Sequence, residues 1–140
     1  MTVTEVKTEL QKVRQARKAY RLAKDRADDF EQTIMCGKAV RYGGSGESHE
    51  RRGNPVERAY CDIVSLHDEA EQYRTEYITA FERARYLIGL VSDPAQREVL
   101  ERRYIRGQLW EDIAADMSYS RRHITRLHGL ALQTCAKRCP

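Results

Sequence analysis

The sequence predicts an all-α protein, a long helical hairpin over residues 1–91 followed by a small helix-turn-helix domain over residues 92–140. Three observations predict it. Only Pro55, Pro94 and Pro140 interrupt the 140 residues, and the stretches between them are rich in the good helix formers Ala, Leu, Glu, Lys, Arg and Gln. Apolar residues recur seven apart along both long stretches, the spacing of a helix that buries one stripe. Residues 109–135, LWEDIAADMSYSRRHITRLHGLALQTC, split into two short amphipathic segments around Ser118-Tyr119-Ser120, which is helix-turn-helix spacing.

The first helix is expected from about Thr4 to Met35. Val6, Val13, Tyr20, Ala27 and Ile34 form its stripe, supported by Val3, Leu10, Ala16, Ala23 and Phe30. Arg17, Lys24 and Glu31 interrupt the companion register, so the stripe suits packing against a neighbouring helix better than a strict two-stranded zipper. Residues 36–54, CGKAVRYGGSGESHERRGN, hold five glycines and no apolar period, which predicts a flexible connection. Its Lys38, Arg41, Arg51 and Arg52 are expected to be solvated. Cys36 and His49 lack the spacing of a zinc motif, and no metal site or cofactor is expected.

Asn54 and Pro55 supply a cap and a first helical residue for a second helix. Val56, Ile63, Ala70, Tyr77 and Ala84 repeat at seven, with Tyr60, His67, Phe81 and Ile88 beside them, and His67 is expected as a packed seam histidine. Asp93 and Pro94 then open a third helix in the same way. Val99, Leu100 and Tyr104 give it a core face, and Gly107 offers a left-handed stop. The next helix starts at Leu109, which has no capping side chain; Trp110 is expected to anchor the small core. Glu111, Asp112 and Asp116 read as solvated or intrahelically paired. Ser120 caps the last helix, whose exposed first turns carry Arg121, Arg122, His123, Thr125 and Arg126.

The net charge is +4, and its distribution says more than its size. Residues 117–140 hold five Lys/Arg and no Asp/Glu, whereas residues 55–91 hold four against seven. A phosphate-attracting surface is therefore expected on the last helix and its tail. Arginine can pair with guanine edges or clamp phosphate, and threonine can offer its methyl to thymine. The candidate DNA-binding residues are Ser120, Arg121, Arg122, His123, Thr125 and Arg126, with Arg102, Arg103 and Arg106 on the preceding helix.

Residues 90–132 resemble region 4 of bacterial sigma factors, in the variant found in RinA/ArpU-type phage late-gene transcriptional regulators. The carriers are Arg97-Glu98-Val99-Leu100 with Arg103-Tyr104, Trp110-Glu111-Asp112-Ile113-Ala114, Ser118-Tyr119-Ser120, and Leu127-His128 with Ala131-Leu132. The resemblance implies a sigma region 4-like domain that binds double-stranded DNA, a role in transcription regulation in phage or prophage, and RNA polymerase as a candidate partner. Residues 1–91 are the expected assembly or partner-binding part, and a homo-oligomer is a candidate state. The second reading is a DNA-binding assembly component such as a phage small terminase subunit. An enzyme is not expected, because no Gly-rich phosphate loop, H-E-x-x-H or framed pair of catalytic carboxylates occurs. No apolar run reaches bilayer length and the amino terminus lacks a signal peptide's apolar core, so no membrane partner is expected and the bacterial cytoplasm is the expected location. Cys36, Cys61, Cys135 and Cys139 form no C-x-x-C pair and are expected as free thiols.

Overall fold

The structure, a computed structural model, describes residues 1–36 and 54–140. The expected loop, with Lys38, Arg41, His49, Arg51 and Arg52, lies outside the described residues except for its ends, Cys36 and Asn54. Among the described residues all regular structure is helical: α1 (Val3–Met35), α2 (Pro55–Gly89), α3 (Pro94–Leu100) running into a π-helical turn (Glu101–Ile105), α4 (Trp110–Met117) and α5 (Arg121–Arg138). No helix there is long and apolar enough to cross a membrane. The four cysteines are free thiols.

Helix starts follow local chemistry. Thr2 and Glu5 form a reciprocal box, the Glu5 carboxylate accepting from Thr2 N–H at 2.7 Å and the Thr2 hydroxyl from Glu5 N–H at 3.2 Å, which satisfies two orphan donors of α1. Those bonds hold the Glu5 carboxyl below its ordinary pKa. The Asn54 side chain accepts from Val56 N–H at 3.0 Å. Asp93 stands at the extended residue before α3 but makes no side-chain cap bond, so Pro94 opens that helix without the expected carboxylate cap.

The chain divides into two compact units, one of Lys18–Thr75 and one of Met1–Arg17 with Glu76–Pro140. These units divide within α1 and α2, whereas the sequence placed its division at 91/92. Val6, Leu10 and Val13 of α1 and Ala84, Leu87, Ile88 and Val91 at the end of α2 share one core with Leu100, Tyr104, Ala131, Leu132 and Cys135. A 49-residue domain starting at residue 92 would leave Ala131, Leu132 and Cys135 of α5 with Leu100 and Tyr104 but without the α1 and α2 residues of that core, beside the smaller cluster of Val99, Ile113, Ile124 and Leu127.

Within this larger unit carbonyls at and just beyond the end of α2, where the helical ladder runs out, accept from distant residues. Arg97 donates to Val91 O from Nε at 3.0 Å and from an Nη at 2.7 Å. Arg138 donates to Leu90 O and the Ser92 hydroxyl, each at 2.8 Å, and the buried Cys135 thiol donates to Leu87 O at 3.2 Å. Arg17 donates to Ile105 O at 2.7 Å, where the π-turn ends. Gly107 takes φ +72° just beyond, a left-handed conformation that glycine adopts without Cβ strain.

In the Lys18–Thr75 unit the buried side chains are small. Ala23, Ala27, Ala59 and Ala70 join Ile63, and the helices run in opposite directions, since Arg26 meets Glu69 and Glu31 meets His67. The α2 seam uses Ala59 and half-buried Leu66, while Val56 and Tyr60, expected there, are about half exposed. Alanine against alanine brings backbones close, and the bulkier residues of the neighbouring register are turned outward.

Candidate nucleic-acid interface

The α4–α5 turn is built from backbone bonds. Ser118 is left-handed, with φ 57° and ψ 38°. Tyr119 N–H reaches Ala114 O at 3.0 Å and Ser118 N–H reaches Ala115 O at 3.3 Å, the paired bonds of a Schellman stop. A serine in that conformation carries a Cβ cost that glycine would not. Ser120 then returns to extended backbone and its hydroxyl accepts from His123 N–H at 3.1 Å, as expected of an N-cap. The N–H groups of Arg121 and Arg122 point along the helix start with no intrahelical acceptor.

The face of α5 that α1, α2 and α4 leave uncovered carries Arg121, Arg122, Thr125 and Arg126, all exposed. Among the described residues, Arg122 and Arg126 have no side-chain partner. Arg121 pairs with Glu111 of α4 at 3.2 Å, both side chains about two-thirds exposed, a weak contact in water. The last helix therefore does meet an acid, supplied by α4 rather than by its own sequence. The Thr125 hydroxyl donates to Arg121 O at 3.0 Å, which leaves its methyl and both oxygen lone pairs for an outside group. His123 is half-buried, with its ring 4.6 Å from that of Tyr119.

The three arginines of the preceding helix are placed differently from the expectation. Arg102 is drawn into a network, donating to Glu98 at 2.8 Å, Asp116 at 3.1 Å and the Gln108 side chain at 3.4 Å. Arg103 donates to Gln108 O at 3.0 Å and lies over the Trp110 ring at 4.5 Å. Both hold the π-turn against α4, and burial with nearby Arg14 pulls Arg103 below its usual pKa. Arg106 is exposed but borders a crevice of about 480 Å³ with Phe81, Arg85 and Ile105. Asp116, expected to be solvated or paired within its helix, instead takes Arg102. His67, expected as a packed seam residue, is about 40 % exposed and bonded to Glu31 at 2.7 Å.

Beneath the exposed face lies an aromatic cluster. His128 is buried, with Nε2 2.9 Å from the Tyr104 hydroxyl and its ring edge-on to Trp110 at 4.8 Å. Desolvation, with Lys7 and Arg103 nearby, lowers its pKa to about 4, while burial raises that of Tyr104. The imidazole is neutral at pH 7 and acts as an internal hydrogen-bonding core group. Trp110 is half-buried and joins both the core and Arg103.

Sequence reasoning missed the length of the exposed face. Gly129, Gln133 and Lys137 continue the row begun by Arg122 and Arg126 at helical spacing, and Gln133 and Lys137 are exposed. The four-residue spacing was a readable signal. Arg138, one turn-position further on, faces the other way onto α2. A Cβ added at Gly129 would meet nothing within 4 Å, so the row has a gap through which another backbone could approach closely. No family model, curated protein or solved structure matches the chain.

Proposed function

We propose that the chain is a sequence-specific DNA-binding transcriptional regulator, of the phage or prophage late-gene type that its sequence resembles, and that α4, the turn at Ser118 and α5 act as its helix-turn-helix. The observation that carries this reading is the uncovered face of α5. Arg122 and Arg126 stand there without partners, beside Thr125 and weakly paired Arg121, at the start of a helix capped by Ser120. A helix of this kind fits the major groove, with its N-terminal residues toward base edges and its free N–H groups toward phosphate. Arg102 and Arg103 serve as positioning residues that fix the π-turn and α4, and Ser120 orients the helix. RNA polymerase is the protein partner implied by the resemblance.

The test is a salt titration of duplex binding, read by fluorescence anisotropy. Arg121, Arg122, Arg126 and Lys137, with one of them on a base edge, neutralise about three phosphates, which gives a slope of log affinity against log salt near −3 per chain. Replacing Arg122 and Arg126 with alanine should flatten the slope by about 2 without changing helicity. A slope near zero, or one indifferent to that double substitution, removes α5 as the interface.

A second reading, an assembly component of the small terminase kind, is favoured by one observation. Leu22, Val56, Tyr60 and Val64 of the Lys18–Thr75 unit are exposed at 62, 46, 52 and 58 %, and apolar groups in that density suit contact between copies. Light scattering separates the readings: rings of many subunits support assembly, and monomers or dimers support regulation.

A further inference from the structure

We propose that Asp28, Glu31 and His67 form a binding site for a divalent metal ion of the zinc, cobalt and nickel class, which clamps α1 to α2 within the Lys18–Thr75 unit. One ligand atom from each residue lies within 4.8 Å of the others. Asp28 and Glu31 are three apart on α1 and so share a face, and His67 meets that face from α2, with Nε2 2.7 Å from Glu31 Oε2. The seam beneath explains how they meet. Ala27 and Ala70, both buried, flank the site in sequence, and the close backbone approach they permit brings even the short Asp28 side chain within range.

Donors bonded to one ion at about 2.1 Å lie roughly 3.0 to 3.4 Å apart in octahedral or tetrahedral geometry. Glu31 and His67 already stand closer than that, and Asp28, which is exposed and has a ligand atom within 4.8 Å of both, completes the set by a change of rotamer. The donor chemistry selects the ion. An imidazole nitrogen with two carboxylates suits zinc, cobalt or nickel, whereas calcium and magnesium prefer oxygen alone. The site is open on the solvent side, so water fills the remaining positions. Metal binding at Nε2 moves the imidazole hydrogen to Nδ1 when the ring is neutral, or releases one proton to solvent when the ring is charged.

The experiment uses the full chain with the exposed Cys36 and Cys61 changed to serine, titrated with Co²⁺ by absorbance and with Zn²⁺ in competition. Saturable binding of one Co²⁺ per chain without a thiolate charge-transfer band is expected, together with a rise in thermal midpoint on adding Zn²⁺. His67→Gln and Glu31→Gln should each weaken binding at least about tenfold, since loss of a ligand costs no less than loss of a group that merely orients one. Both positions are half exposed, and circular dichroism of the metal-free variants checks that they remain folded. Absent saturation, binding indifferent to both substitutions, or a thiolate band overturns the proposal.

Discussion

The two units of this chain are held together by different means. Among the described residues, the Lys18–Thr75 unit is joined along a seam of Ala23, Ala27, Ala59 and Ala70 with a single large buried aliphatic, Ile63. The other unit buries Leu10, Leu87, Leu100, Ile113 and Ile124 almost completely. A fully buried leucine or isoleucine contributes about 1.5 to 3 kcal/mol through removal from water, and an alanine methyl only about 0.8 kcal/mol. The same helical regularity therefore gives a thin contact in one region and a core in the other. Along α1 and α2 the heptad-like spacing runs through both regions, so on those helices the difference lies in side-chain volume. It also places α5 in the region best able to hold it still.

The largest test of that contrast is truncation. A fragment of residues 92–140 is expected to lose cooperative unfolding altogether, because it removes Val6, Leu10, Val13, Ala84, Leu87 and Val91 from the core that covers α5. A sharp thermal transition in the fragment would show that α3–α5 suffice and would restore a boundary at residue 92.

Next in size are single core substitutions. Leu100→Ala should cost about 2 to 5 kcal/mol in urea unfolding, whereas Ala70→Gly should cost about 1 kcal/mol, mostly helix propensity. Equal effects would mean that the alanine seam carries more than its buried volume implies.

Acidification should weaken the larger unit through His128. Its folded pKa of about 4 lies below the unfolded value of about 6.5, so the unfolded chain binds the extra proton between those values. Stability from keeping this ring neutral is fully present above about pH 6.5 and is lost as pH falls toward 4, on the order of 3 kcal/mol in all. His128→Gln should be less stable at pH 7 and should lose less on acidification over that window. An unchanged pH profile in the variant would show that the ring does not titrate with unfolding.

The smallest expected effect is Gly129→Ala. An added Cβ meets nothing within 4 Å at that half-buried helical position, and alanine should stabilise α5 by about 0.5 to 1 kcal/mol. If the gap admits a close backbone, duplex affinity should fall while the thermal midpoint rises. A parallel rise in both would show that the gap is not part of the interface.

Much of this was legible in the residues themselves. The start of α2 at Pro55 after Asn54, the stop at Gly107 and the cap at Ser120 involve groups within four residues of one another, and each formed where local rules place it. The α1 stripe of Val6, Val13 and Ala27 is buried as its period implies. The uses of the charged side chains were not legible. Nothing in the composition of residues 97–103 or 138 distinguishes an arginine that caps a distant carbonyl from one that faces solvent. Arg97 reaches Val91, Arg138 reaches Leu90 and Arg102 reaches Asp116 only because the chain has already folded back. The choice between Ala59 and Tyr60 for the α2 seam was likewise closed by the facing alanines of α1. Sequence by itself determined where helices begin, where they stop and which stripe of α1 is apolar, because those depend on bonds spanning a turn or two. Tertiary structure alone decided which segments share a core and which arginines remain free, because a long, flexible cation takes whichever acceptor packing leaves without a donor.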